Sequence, residues 1–385
     1  MAPRHGCPRP PGRSLLLKSR GFWIGIAISV VLILLFVRST PIGDMKRAFE
    51  DANPWIALAS LPVYFLGLWV RTIRWQYLLR PVKRVTTIRL FPVVIIGLMA
   101  NNLIPARAGE LARAYVLGQR EKISKTTSLG TIAVDRLFDG VTLVPMMLIV
   151  AAFAGGDASF PVGFGKSLNF AGLGIVMAVL FGIAIAVLFW MALSERGRDL
   201  LHRLVVRFAP ARVKPMVEGL LHSFFDGLGA LRSPIDLGIA WLMSLISWTL
   251  EATMYYIVAR AFGIDEPFYV FLLLTAAANL AIAIVASQGG IGPFEIVVSR
   301  TIVAFGTGIA DSDASAYALG LHAMLLIPIV AIGLALMWSM DLTLSDMLKS
   351  SRETEAEAEA LAIEEDAAAR TARPTNPIVE GSGRK

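Results

Sequence analysis

The chain has 385 residues, of which 56% are hydrophobic and 17% charged, and its 36 Lys and Arg against 29 Asp and Glu give a net charge of +7. With a mean hydropathy of +0.65 and several long apolar runs, this composition marks a polytopic membrane protein and excludes an ordinary water-soluble domain. The only cysteine is Cys7, which excludes an internal disulfide and a thiol-ligated metal cluster.

Residues 1–20 form a basic leader expected to be disordered, carrying Arg4, Arg9, Arg13, Lys18 and Arg20. The apolar run at 21–37 is followed by VRSTPIG, without a small-x-small cleavage site, and reads as an uncleaved first span. Further spans are expected at 54–70, 129–153, 168–193, 236–259 and 316–340, long enough to cross about 30 Å of hydrocarbon. Two apolar segments, 88–118 and 268–306, are interrupted by polar residues, Gly and Pro. A basic connector at 194–234, with apolar residues at loosely helical spacing, is expected to lie on anionic headgroups. The tail at 341–385 is acidic and Ala-rich and carries no chemistry. The fold class is therefore an all-α membrane protein of about 6 to 8 transmembrane helices in one domain over 21–340.

The loops set the orientation. Lys and Arg number 29 in 1–20, 71–89, 106–128, 194–234 and the segment after 340, against 5 in the alternate loops. Placing the rich loops inside gives cytoplasmic N- and C-termini in a bacterial-type cytoplasmic (inner) membrane. The same asymmetry accounts for the basic charge, so nucleic acid is not a partner.

Both flanks of the first interrupted segment are basic, so its chain must enter the membrane and return. Residues 88–105 are too few for two crossings at about 1.5 Å per residue, which implies a re-entrant hairpin turning between Asn101 and Pro105. The second segment has acidic flanks, with Asp265, Glu266, Asp311 and Asp313, and is expected to enter from outside. Each carries an amide, a Gly/Pro break and a glutamate: Asn101, Asn102, Pro105, Gly109 and Glu110 in one, and Asn279, Gly289, Gly290, Gly292, Pro293 and Glu295 in the other. This is the pattern of an inverted repeat, whose broken helices meet at a substrate site near the midplane.

A charge at mid-membrane costs several kcal/mol, from about 2.5 to over 10, so these residues face an interior and find partners. Asp135 and Asp139 lie one turn apart, Arg136 reaches Asp139, and a cation is needed between the two carboxylates; Arg107 and Arg113, flanking Glu110, are the candidates. Glu251, Glu295 and Arg300 supply the second half's charges. Packing salt bridges explain any one pair, but so many ionisable groups beside two broken helices favour a translocation or binding site. The arginines suit a lipid phosphate, and the carboxylates an ammonium or a proton relay. Other motifs fail. Gly165-Lys166-Ser167 ends like a P-loop, but Phe160 stands where its first glycine belongs. His5, His202, His222 and His322 lack zinc spacing, His322 reading as a hydrogen-bonded core residue, and Gly-x-Ser-x-Gly is absent. Trp23, Trp55, Trp75 and Trp338 read as interface anchors. No cofactor and no metal are called for.

The run NNLIPARAGELARAYVLGQREKISKTTSLGTIAVDRLFDG, with RTIRWQYLL before it and GGIGPFEIVV after it, resembles the lysylphosphatidylglycerol synthase transmembrane, or flippase-like, family, which includes the membrane half of the multiple peptide resistance factor. The likeness covers roughly 20–340. It implies that the family's polar pattern falls on Asn102, Pro105, Arg107, Gly109, Glu110 and Arg113, its acidic-Arg-x-x-Asp pattern on Asp135, Arg136 and Asp139, and its glycine pattern on Gly289, Gly290, Gly292 and Glu295. Asp135 stands where relatives often carry Glu, and Gln288 where a proline commonly precedes the glycines. The aminoacyltransferase domain of larger relatives is not seen after the last span. The expectation is a phospholipid flippase without enzymatic activity, moving a modified, aminoacylated or lipid-linked phospholipid between leaflets. Its partners would be membrane phospholipids, a second copy of the chain or a separate lipid-modifying enzyme. The alternatives are an integral-membrane transferase, with Asp135 or Asp139 as general base, and a small-solute secondary transporter.

Overall fold

The computed structural model describes residues 42–104, 109–153, 233–284, 287–305 and 308–342, the strand residues 159–161 and 167–169, and isolated positions between 175 and 226. The leader, the span at 21–37 with Trp23, most of the span at 168–193 and of the connector, the tail, the hinge position Pro105 and the binding candidate Arg107 lie outside the described residues.

The chain is an all-α polytopic membrane protein. In order come α1 (Ile42–Asp51), α2 (Pro54–Ala59), α3 (Leu61–Leu79), α4 (Thr87–Leu103), α5 (Gly109–Glu121), α6 (Lys125–Phe153), α7 (Pro234–Ala261), α8 (Phe268–Ile284), α9 (Pro293–Phe305) and α10 (Asp311–Ser339). A two-stranded antiparallel ribbon, β1 (Ser159–Pro161) with β2 (Ser167–Asn169), follows α6 and pairs Phe160 with Leu168. Local chemistry sets the helix starts. The Asn53 side chain accepts from the Trp55 and Ile56 amides ahead of Pro54, and Ser233 accepts from the Asp236 amide ahead of Pro234.

Pro54–Leu79, Pro234–Ala261 and Asp311–Ser339 are long and apolar enough to cross a membrane. Helix α6, at 29 residues, reaches about 44 Å, although Asp135, Arg136 and Asp139 interrupt its apolar surface. By contrast α5 and α9 have 13 residues each and reach only about 20 Å, short of the hydrocarbon thickness. They return the chain as arms of the two broken hairpins, α4–α5 and α8–α9.

The two halves repeat. Helices α4 and α8 both have 17 residues, α5 and α9 have 13, and α6 and α10 have 29. Packing repeats as well: α3 lies along α7, α4 packs on α5 and α10, α8 packs on α9 and α6, α5 packs on α6, and α9 packs on α10. Exchanging α3–α6 for α7–α10 maps these pairs onto one another. The central crossing is close because Gly67 faces the Ser247 carbonyl and the Leu250 side chain, and an added Cβ would lie 3.4 Å from each. Outside, Trp55, Ile235 and Trp338 are exposed, as a lipid-facing surface allows.

Three expectations are corrected. The span at 54–70 continues as helix to Leu79, so Arg71 and Arg74 belong to the bundle interior instead of a cytoplasmic loop. They are tolerated there because both find carboxylates. Trp75 is fully buried and not an interface anchor: its indole N–H donates to the Thr131 hydroxyl at 3.2 Å and its ring lies 4.1 Å beneath the Arg113 guanidinium.

Candidate functional site

The hairpin tips form the site. In the first, α4 and α5 approach so closely that a Cβ on Gly97 would run into the Arg113 side chain, and one on Gly109 into the Gly97 carbonyl and Asn101. That closeness lets Asn101 Oδ1 accept the Gly109 amide at 2.8 Å, which caps the start of α5. In the second, a 3-10 turn at Gln288–Gly290 joins α8 to α9, with Gly289, Gly290 and Gly292 at φ of 61°, 78° and 100°. Side chains with a Cβ are strained in that left-handed region, which explains the glycines. Glu295 Oε2 reaches back to the Gly292 amide at 2.7 Å and closes the start of α9 as the glutamate of a capping box does. The tips touch, the Gln288 amide donating to the Asn102 carbonyl at 3.0 Å.

Between them lies a cavity of about 390 Å³. The first half contributes Arg71, Asn101, Asn102, Glu110, Arg136 and Asp139 to its wall, and the second contributes Trp248, Glu251, Tyr255, Asn279, Gly289, Gly290 and His322. Arg136 links Glu110, at 3.2 Å, to Asp139, at 3.1 Å. Arg71 pairs with Glu251 at 3.0 Å and lies over Trp248, while the Asn279 amide donates to the other Glu251 oxygen at 3.0 Å. The mouth therefore carries cations and anions together, each held by a partner from a different helix.

Beneath the cavity runs a buried bridge. Arg74 Nε and Nη2 lie 2.8 Å from Asp135 Oδ1, and Nη1 lies 2.8 Å from Asp139 and 2.6 Å from the Ser244 hydroxyl. Arg113 Nη1 donates to the other Asp135 oxygen at 3.1 Å. Among the described residues the cation between Asp135 and Asp139 is thus Arg74 from α3, and not Arg113, one of the two candidates that the spacing suggests. Arg113 serves Asp135 alone, and Arg107 lies outside the described residues. Asp135 and Arg113 are sealed below the cavity and do not line it.

Of the remaining sequence candidates, Glu295 stands behind the wall, paired with His322 at 2.6 Å. Arg300 does not join the site: it is partly exposed and pairs with Asp311 at 3.5 Å. Arg71, Arg74, Trp248 and His322 escaped the sequence reading as site residues. Their available signal was the spacing of Arg71 and Arg74 at i, i+3 on a helix that had to continue inward.

A family model described as lysylphosphatidylglycerol synthase TM region matches residues 22–333. The chain is similar to a protein named Glycosyltransferase AglD from Haloferax volcanii, 25% identical over 354 residues, covering 86% of this chain and 56% of that protein. It is similar to a UPF0104 membrane protein of Methanothermobacter thermautotrophicus, 26% identical over 299 residues, covering 73% of this chain and 82% of the relative. A UPF0104 membrane protein from Pyrococcus horikoshii is 22% identical over 293 residues, covering 73% and 86%. No solved structure matches. The expectation of a chain without enzymatic activity is corrected by the first relative, whose name assigns it a transfer reaction and whose likeness spans most of this chain.

Proposed function

The chain belongs to the lysylphosphatidylglycerol synthase TM region family, and from that premise we propose that it takes the headgroup of a modified phospholipid or lipid-linked substrate into its intramembrane cavity and passes it between leaflets. The observation that carries this reading is the cavity of about 390 Å³ at the tips of two broken hairpins, walled by charges of both signs. A headgroup with an anionic phosphate and a cationic or polyhydroxyl substituent meets Arg71 and Arg136 on one side and Glu110, Asp139 and Glu251 on the other. The acyl chains stay in the bilayer. Broken helices admit such a site because irregular backbone is tolerated at depth where it lines a polar cavity. The Lys and Arg asymmetry supports a cytoplasmic membrane with both termini inside.

The test is leaflet exchange of fluorescent headgroup-labelled lipids in proteoliposomes with Glu110→Gln and Glu251→Gln. Losing a charge-assisted contact costs about 1.5–3 kcal/mol, so exchange should fall roughly ten- to a hundredfold, and in Glu110→Gln, whose side chain is partly exposed, thermal stability should stay near wild type. Wild-type exchange in both variants would refute the assignment.

A second reading rests on the relative named a glycosyltransferase: transfer onto a lipid-linked substrate in the same cavity. Asp139 is the general base it requires, since Asp139 lines the cavity whereas Asp135 is sealed below it. New lipid products formed by the purified protein and detected by mass spectrometry would favour it.

A further inference from the structure

The two halves correspond down to one pair of side chains. Arg136 is the twelfth residue of α6 and His322 the twelfth of α10, while Glu110 and Glu295 stand second and third in α5 and α9. In the first half the pair is Arg136 with Glu110 at 3.2 Å; in the second it is His322 with Glu295 at 2.6 Å. A cation that never gives up its proton in water has a titratable counterpart.

Hydrogen bonding fixes the proton count of the second pair. His322 Nε2 lies 3.1 Å from the Gly289 carbonyl, which can only accept, so Nε2 carries a hydrogen. His322 Nδ1 lies 2.6 Å from Glu295 Oε1, and two bare acceptors do not approach so closely in a buried site. A second hydrogen must lie between them. The pair is then either imidazolium with carboxylate or imidazole with carboxylic acid, and it is neutral both ways.

We infer that Glu295 and His322 form a proton-binding site, and that the headgroup cycle is coupled to loss and uptake of this proton at the second hairpin. The coupling rests on the lipid reading above; the site itself does not. Removing the proton sets lone pair against lone pair, so the ring must leave either Glu295 or the Gly289 carbonyl. Both belong to the hairpin: Gly289 and Gly290 form the turn, Glu295 holds the Gly292 amide, and Gln288 ties the turn to Asn102 of the first tip. The charged and titratable groups facing the same cavity are Arg71 with Glu251, Arg136 with Glu110 and Asp139, and the Tyr64 and Tyr255 phenols. Phe294 stacks on the imidazole at 4.5 Å, α8 brings only amide and apolar groups to the cavity, and α1, which packs on α10, pairs its own surface charges, Arg47 with Asp44 and Lys46 with Glu50. Among these groups, none but the His322 and Glu295 pair requires a shared proton to explain its contact.

Two measurements on the full chain test this. In nanodiscs of neutral lipid, nitrogen NMR of 15N-histidine-labelled protein, with His322→Gln assigning the resonance, should give an Nε2 that is protonated and an Nδ1 that is protonated or in a strong shared hydrogen bond at pH 7. A bare Nδ1 throughout pH 5 to 9 would overturn the site, whatever the protein does with lipid. In proteoliposomes an imposed pH difference should shift the steady distribution of the transported lipid about tenfold per pH unit for one coupled proton. In Glu295→Gln that shift should vanish, since the amide holds its hydrogens permanently, and comparing distributions removes any change in rate. Exchange in wild type that ignores the gradient would overturn the coupling. A complete absence of exchange would instead defeat the lipid reading and leave the NMR result to decide the site.

Discussion

Arg74→Met replaces the guanidinium with an apolar side chain of similar length and isolates the buried bridge. Arg74 is completely buried and holds both Asp135 and Asp139 at 2.8 Å. Breaking a buried pair by removing one partner costs about 3–5 kcal/mol, because a charge is left uncompensated. Here each aspartate keeps a second arginine at 3.1 Å, Arg113 for Asp135 and Arg136 for Asp139, so the lower part of that range, about 3–4 kcal/mol, applies. At roughly 2–4 °C per kcal/mol, the purified protein should unfold about 6–16 °C earlier in a fluorescence-monitored melt. The double variant Arg74→Met/Asp139→Asn should regain part of that loss, since it removes charge from both sides while Asp135 keeps Arg113 and Arg136 keeps Glu110. A melting point within about 2 °C of wild type for the single variant would mean the bridge is wet, and the argument for a sealed network beneath the cavity would fail.

Two further predictions concern the hairpins. Gly109→Ala should destabilise by about 1–3 kcal/mol or more, because its Cβ meets the rigid Gly97 carbonyl, whereas Gly238→Ala, with nothing within 4 Å in an exposed turn of α7, should stabilise by about 0.5–1 kcal/mol; paired melts read the difference. In a Cys7→Ser background, Arg84→Cys beside the first hairpin and Asp265→Cys beside the second should react with an impermeant maleimide from opposite faces of sealed vesicles, and labelling of both from one face would refute the inverted arrangement.

The broken hairpins were legible because Gly, Pro and Asn cluster within a few residues of apolar runs at Asn101–Gly109 and Gly289–Pro293, and so many helix breakers together disfavour a continuous helix. The carboxylates were legible for a related reason: Asp135, Asp139, Glu110 and Glu251 stand in sequence surroundings otherwise fit for lipid. Arg71 and Arg74 were not. They end an apolar run and precede four more basic residues by 89, so the charge asymmetry of loops assigns them to the cytoplasm. Their partners lie 180 and 61 positions away in the chain, and no local pattern announces a contact at that separation. His322 was readable as a bonded core histidine, which it is, but its tie to Gly289 and Glu295 depends on how α9 and α10 pack.

The repeat also separates two tasks that the sequence presents as one cluster. In the first half the Arg136 and Glu110 side chains are 38% and 30% exposed, open enough for a headgroup to exchange partners with them. In the second half His322 and Glu295 are 10% and 3% exposed, and Glu295 is additionally committed to the Gly292 amide. A ligand can displace Glu110 from Arg136 without dismantling a helix start, since Asn101 caps α5. It cannot displace Glu295 from His322 without also disturbing the turn that begins α9. Equivalent positions have therefore diverged in accessibility together with chemistry: permanent charge where a headgroup can reach, and a titratable pair where only a proton can. If that division holds, charge-neutralising changes at Glu110 should alter which lipids compete for the cavity, and those at Glu295 should alter what drives the cycle while leaving the order of lipid preference in place.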